Sequence, residues 1–280
     1  MTTSGPHTVS QALTWATAAL DDRVDAEYLL MHLLQCSRTH LITHATTALS
    51  EEQWQSFGNL VQRRQAGEPV AYITGSRGFW SLELSVTPDV LIPRPDTELL
   101  VETVLELADN SLRRTVVDLG TGSGAIALAI AAERPAWRVI ATDASEAALN
   151  VARRNARQSG LDRVEFFHGN WCAALPSDLV PDIIVSNPPY IAPDDPHLLQ
   201  GDLRFEPMSA LKAEDNGLGD IRQITEQAKA LLPATGTLLF EHGYQQAAAV
   251  REILAAAGFV QVRSLYDLGG HERVTLGVKP

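Results

Sequence analysis

The sequence predicts an α/β fold: a doubly wound, mostly parallel sheet with an antiparallel last strand, preceded by a small helical domain and a β-hairpin linker. Three observations predict it. Up to about residue 65, apolar residues recur at three- and four-residue spacing, the helical period. After Arg114, short β-branched runs alternate with helix-period segments, the pattern of buried parallel strands joined by crossover helices. The first of those runs ends in Gly120-Thr121-Gly122-Ser123-Gly124 and passes straight into a helix. At 280 residues, 45% of them apolar, the chain is long enough for one full α/β domain and a smaller companion with its own core.

The helical domain is expected over residues 1–68, where Leu29, Leu30, Leu33 and Leu34 share a face and Asp and Ser stand where helices would start. Gly67-Glu68-Pro69 breaks the pattern. Residues 71–92 then alternate in a strand-like way around Gly75 and Gly78, which predicts a hairpin linker within 69–94. Asp96-Thr97-Glu98 has short polar side chains suited to capping a helix that runs to about residue 108, inside a main domain of 95–280. Strands are predicted at 115–119, 138–142, 164–168 and 182–186, with crossover helices at 125–133 and 146–158. A helix at 220–232, a strand at 237–241 and a helix at 245–257 follow. The final strands, 260–265 and 272–278, are joined by a connection too short for a crossover, so they should pair antiparallel.

Composition narrows the function class. A net charge of −12, from 34 acidic and 22 basic residues, disfavours stable binding to nucleic acid, which relies on neutralising phosphates. The pairs Arg63-Arg64, Arg113-Arg114 and Arg153-Arg154 read as solvated surface rather than as a basic stripe. Cys36 and Cys172 lie far apart, which fits neither a disulfide framework nor a metal quartet and suggests a reducing cytoplasm. Residues 1–11 carry no leader pattern, and no apolar run approaches the roughly 20 residues of a membrane span. His40 and His44 share a helical spacing but lack a third ligand, so no metal is expected. Ser123 lacks the frame of a hydrolase nucleophile.

The glycine-rich turn is a nucleotide-cofactor loop by shape, since glycines let a ligand approach the backbone where strand becomes helix. Gly120, Gly122 and Ala125 also satisfy a dinucleotide pattern, which keeps hydride transfer open as a reading. Asp118 shifts the balance: a carboxylate at the mouth of the loop repels a pyrophosphate but suits the cationic amino-acid end of S-adenosylmethionine. Asp143, at the end of the next strand, is placed to accept from both ribose hydroxyls. After the third strand, Asn170 and Trp171 stand where such sheets cover an adenine ring.

The sharpest signal follows the fourth strand: Ser186-Asn187-Pro188-Pro189-Tyr190. Two prolines stiffen the chain and remove donors, leaving the Asn187 side-chain oxygen and the Pro188 carbonyl as acceptors at the sheet edge. Two acceptors suit a planar NH2 group. An amide nitrogen is a poor nucleophile because its lone pair is delocalised, and gripping both N–H bonds orients it and draws off charge as a methyl group arrives. Tyr190 offers a ring to stack on the flat group. Adenine N6 or guanine N2 would present the same geometry, so a nucleic-acid amino methyltransferase is the alternative, with the acidic charge against it. A catalytically inert nucleotide-binding module is a third reading, which the intact turn disfavours.

These residues resemble those of class I methyltransferases, Rossmann-like enzymes that act on planar amino groups. More narrowly, the chain resembles the HemK/PrmC family of peptide chain release factor glutamine methyltransferases. The resemblance is carried by Gly75 to Trp80, Leu91 to Glu98, Asp118 to Ile126, Ser186 to Ile191, Arg204 to Pro207 and Glu272 to Val274. It implies S-adenosylmethionine as cofactor, class I release factors as protein partners with the Gly-Gly-Gln glutamine as the methylated residue, and a helical domain that helps hold that partner. The expected catalytic residues are Asn187, Pro188, Pro189 and Tyr190. The expected cofactor residues are Asp118, Gly120, Thr121, Gly122, Ser123, Gly124, Asp143, Asn170, Trp171 and Asn187. Arg94, Asp96 and Glu98 fit either a place beside the cofactor or a helix cap with a surface ion pair. Asn170 stands where the family often has an acid, and His242 replaces the more usual Ile in Glu241-His242-Gly243.

Overall fold

The computed structural model describes residues 7–108 and 112–280, so the first six residues of the stretch read for a leader lie outside it. The chain forms two compact units, Met1–Gly75 with Gly201–Phe205, and Ser76–Gln200 with Glu206–Pro280.

The first unit is helical. α1 (Val9–Leu20) starts on a capping box in which Thr8 and Gln11 satisfy each other's backbone N–H groups, and Ser50 and Gln53 repeat the device at α4 (Glu51–Gln65). Asp22 caps α2 (Arg23–Leu34) through the N–H groups of Val24 and Asp25, and Ser37 caps α3 (Arg38–Thr43). Leu29, Leu30, Phe57 and Val61 are fully enclosed at the centre. Glu27 is buried between Arg23 and Arg38, whose hydrogen bonds at 2.8 and 2.6 Å hold its carboxyl below the usual range.

Two expectations need correction here. Arg64 is no solvated cation: it pairs with Asp25 at 2.6 Å and with Asp202 of the returning 201–205 segment at 3.0 Å. That segment also brings Arg204 onto the Ala66 carbonyl, so close to Gly67 that a Cβ there would sit 1.6 Å from the guanidinium. Residues 71–92 are also not strand-like throughout, because Val70–Thr74 forms a short helix, α5. Ala71, Tyr72 and Ile73 are buried in succession, a pattern that alternation along a half-buried strand would not give. The hairpin is confined to β1 (Ser76–Phe79) and β2 (Leu82–Ser85).

The second unit carries a seven-stranded sheet in the order β5-β4-β3-β6-β7-β9-β8. β3 is Thr115–Leu119, β4 Arg138–Asp143, β5 Glu165–His168, β6 Ile183–Ser186 and β7 Thr237–Glu241. β6 and β7 are buried at every position, which is why their centres, Ile183 to Val185 and Leu238 to Phe240, read as apolar runs. β8 (Val260–Tyr266) and β9 (Glu272–Val278) pair antiparallel, and β9 also pairs antiparallel with β7, which leaves β8 as the edge strand. α6 (Glu98–Glu106) and α7 (Ala125–Glu133) pack on each other, and α7 is buried almost all round. α8 (Glu146–Gln158) is amphipathic, with Ser145 accepting from the Ala148 N–H as its cap. A distorted turn, α9 (Glu214–Gly217), leads into α10 (Gly219–Leu231), and α11 (Ala247–Ala256) follows β7. Strand order reverses between β4 and β6 on either side of β3, so the crevice at the carboxyl ends of β3 and β6 is the switch point where open α/β sheets take ligands.

Candidate functional site

At the end of β3 the chain turns on Gly120, Gly122 and Gly124, all with positive φ. The Gly120 and Thr121 N–H groups both donate to the Thr142 carbonyl at 2.9 Å, tying the loop to β4. A Cβ on Gly120 would lie 2.9 Å from the Trp171 ring, so glycine is required there by both backbone and space. Gly124 faces Leu128 and Ala152 instead, where the start of α7 comes close to α8.

Asp143 is oriented by two backbone donors, Gly122 to one oxygen at 2.9 Å and Ser145 to the other at 2.8 Å. Burial raises its carboxyl above the ordinary range, against the lowering effect of those N–H groups. Trp171 holds a left-handed backbone (φ 48), an uncommon state for a bulky residue and one that concentrates at functional sites. Burial raises the neighbouring Asp220 carboxyl above the ordinary range, against the lowering effect of the Trp171 indole beside it. On the far side of β3, Ser186 donates to the Leu119 carbonyl at 2.7 Å, and Asn187 follows with its Nδ2 donating to Thr97 Oγ1 at 3.3 Å. The turn after it is held downstream, where Gln246 donates to the Tyr190 carbonyl at 3.0 Å.

These elements enclose a cavity of about 280 Å³. Gly120, Thr121, Gly122, Ser123, Asp143, Asn170, Trp171, Asn187 and Pro189 line it, so most of the expected residues meet at one place. Asp118, Gly124, Pro188 and Tyr190 do not line it. Asp118 is fully buried beneath the loop rather than at its mouth, accepting from the Thr121 hydroxyl at 2.6 Å and the Ala127 N–H at 3.3 Å, with its second oxygen unpartnered. Burial pushes its carboxyl up to about 7. The contact expected between Asp118 and a cofactor's ammonium group finds no support in this placement. Nor does the stacking role expected of Tyr190, whose phenol is raised above its ordinary range by burial and by the charge of Glu241.

Sequence reasoning missed a third wall, made by Asp89, Val90, Leu91 and Pro93 after the hairpin and by Pro207, Ser209 and Ala210. Arg94 lines the same side and pairs with the buried Glu206, which ties the Leu91 to Glu98 stretch to Glu206-Pro207. The expected cap at Asp96-Thr97-Glu98 is absent: Thr97 does not cap α6, and its buried hydroxyl serves Glu241 and Asn187. Glu98 instead accepts from the Trp80 N–H at 2.9 Å.

Residues 11–75 match the family described as PrmC N-terminal domain, and residues 95–200 match the methyltransferase small domain. The release factor glutamine methyltransferase of Xylella fastidiosa (strain Temecula1) is 52% identical over 269 residues, spanning 96% of this chain and 98% of that one. The chain belongs to the release factor glutamine methyltransferase family. The Escherichia coli K12 member is 46% identical over 97% of both chains. Among solved structures, the T. thermophilus 16S rRNA N2 G1207 methyltransferase, in complex with AdoMet and guanosine, superposes with a TM-score of 0.54. It is 21% identical, over 73% of this chain and 50% of that one, a likeness of fold alone. Family membership removes the hydride-transfer and inert-module readings of the glycine loop.

Proposed function

We propose that this enzyme transfers the methyl group of S-adenosylmethionine to the side-chain amide nitrogen, N5, of the glutamine in the Gly-Gly-Gln motif of class I peptide chain release factors, supporting translation termination. One observation carries the reading: the Asn187 turn and the glycine loop line a single cavity in a chain of this family. The chain's own groups fit the cofactor. Asp143 presents a carboxylate, already oriented by backbone donors, to ribose hydroxyls. Trp171 and Asn170 suit the adenine, and the bare backbone at Gly120 admits the ligand closely. When bound, the sulfonium supplies an electrophilic methyl group.

In this reading Asn187 Oδ1 and the Pro188 carbonyl accept the two N–H bonds of the glutamine amide, turn its nitrogen toward the methyl group and stabilise the charge that develops there. The nitrogen gains one carbon and releases one proton. Pro189 walls the site, and the helical unit is proposed to hold the release factor away from the reacting atoms. We place the reaction in the cytoplasm, in keeping with two free thiols at Cys36 and Cys172.

The test is incubation of the enzyme with purified release factor and methyl-labelled S-adenosylmethionine, followed by peptide mass spectrometry. Label is expected on the loop glutamine alone. Release factors carrying Asn or Glu there should be poor substrates, the first because its amide falls about one methylene short and the second because it lacks the NH2 group. Label recovered in nucleic acid and not in the release factor would overturn the reading.

A further inference from the structure

The role given to Asn187 depends on which end of its carboxamide faces the cavity. Oxygen inward accepts the substrate N–H bonds; nitrogen inward sets one NH2 group against another. Packing alone does not decide this, because the two ends are nearly the same size. The groups behind Asn187 do. Glu241, the last residue of β7, is almost wholly excluded from solvent, and the Thr97 hydroxyl and the Asn187 carboxamide beside it both favour its ionised form. Asn187 Nδ2 also donates to Thr97 Oγ1 at 3.3 Å. An ionised carboxylate only accepts, so a Thr97 hydroxyl that turns its proton toward Glu241 leaves a lone pair to accept from Asn187, as its Nδ2 contact shows. Thr97 and Glu241 then both face Asn187 as acceptors.

We propose that Glu241, acting directly and through Thr97, is a positioning residue that fixes the Asn187 carboxamide with its nitrogen toward β7 and its oxygen toward the substrate amide. The inference rests on the methyl-transfer reading above. Neither Glu241 nor its second oxygen lines the cavity, and that oxygen is buried without a partner, so the carboxylate is held for what it does to its neighbours.

Protonation of Glu241 would undo the device, because a carboxylic acid can donate to Thr97 or to the Asn187 oxygen and lets the amide turn over. The charged groups facing Glu241 are Arg273 of β9, which favours its ionised form, and Asp96, which opposes it, with the Tyr190 phenol nearby. The adjacent His242 turns away, its ring nitrogens bonded to Thr275 Oγ1 and the Gly243 carbonyl. Burial dominates and brings the Glu241 carboxyl to about 7, so the switch falls within an accessible range.

The experiment compares wild type, E241Q, T97V and N187A on the release factor, from pH 6 to 8.5. Wild-type kcat should rise with pH through an inflection near 7. E241Q, nearly isosteric but able to donate, should show kcat lowered roughly tenfold at pH 8 and a profile without that inflection, with KM and cofactor affinity within about threefold. T97V should lower kcat less, and T97S should restore it. A second readout needs no turnover: the 15N-labelled Asn187 carboxamide, identified by its loss in N187A, should exchange its protons slowly at pH 8 in wild type and faster in E241Q. If E241Q keeps the wild-type kcat, its inflection and slow exchange, Glu241 does not position Asn187, while a dead N187A would leave the methyl-transfer reading intact. A wild-type enzyme that labels no release factor would overturn that earlier reading instead.

Discussion

The two halves of the cavity are built from different materials. Around β3 and β4 the walls are largely main chain: positive-φ glycines, N–H groups tied to the Thr142 carbonyl, and one carboxylate, Asp143, held by backbone donors. Around β6 the wall is made by side chains, Asn187 and Thr97, with the buried Glu241 of β7 behind them, each contributed by a different stretch of sequence. A backbone-built half tolerates changes of side chain but not the addition of a Cβ. A side-chain-built half depends on the identity and ionisation of each member. The first suits holding a cofactor common to many enzymes, and the second suits setting the chemistry of one acceptor.

The contrast is tested hardest at Asn187. Asn187→Ala should lower methyl transfer by roughly 100-fold or more in kcat, with cofactor affinity within a few-fold, because the lost contact matters chiefly in the transition state. Asn187→Asp retains an accepting oxygen and should keep part of the activity. Near-normal turnover of the alanine variant in single-turnover assays would mean that other groups orient the amide, and the division of labour would collapse.

Asp143 probes the opposite half. Asp143→Ala removes a charge-assisted acceptor and should weaken S-adenosylmethionine by about 1.5 to 3 kcal/mol in calorimetry, with kcat at saturating cofactor largely preserved. An unchanged dissociation constant would remove Asp143 from the cofactor site. A defect confined to kcat would erase the distinction between the halves.

The same contrast explains what could be read from the sequence. The strand-turn-helix from β3 to α7 is local, so glycine spacing and the apolar run of 125–133 marked it directly, and α7 and α8 have the predicted bounds. The Asn187 turn was legible because two prolines after a strand are rare and chemically specific. What stayed hidden is long-range. Thr97 and Asn187 are 90 positions apart, and Arg94 and Glu206 are 112 apart, so no window of sequence shows that they meet. Asp118 was misplaced for a related reason: strand alternation says which face a residue takes, but not that the Thr121 hydroxyl and the Ala127 N–H close over it. Residues 71–74 were read as extended because the five-residue helix they belong to is too short to establish a helical period.

The smallest expected effect sharpens the comparison from beneath the glycine loop, where Asp118 is a buried acid like Glu241 but touches neither Asn187 nor the cavity. Its carboxyl is raised to about 7, chiefly by burial, so the folded protein keeps a proton that the unfolded chain releases above about 4. The folded state therefore binds more protons than the unfolded one between about pH 4 and 7. Stability from this group is complete below that window and is lost as pH rises through it, at about 1.4 kcal/mol per pH unit near pH 5 to 6. Asp118→Asn keeps an oxygen for the Thr121 hydroxyl and the Ala127 N–H and removes the ionisation. Denaturant unfolding at pH 5 and at pH 6 should therefore show a smaller loss of stability in the variant than in wild type, by roughly 1 kcal/mol, with other buried acids cancelling in the difference. Cofactor affinity should stay within about threefold, since the carboxylate does not reach the cavity, and kcat should keep whatever pH dependence Glu241 imposes. A variant that matched the wild-type slope would show that Asp118 is already ionised at pH 5. One that lost cofactor affinity more than tenfold would return Asp118 to the ligand's side of the loop.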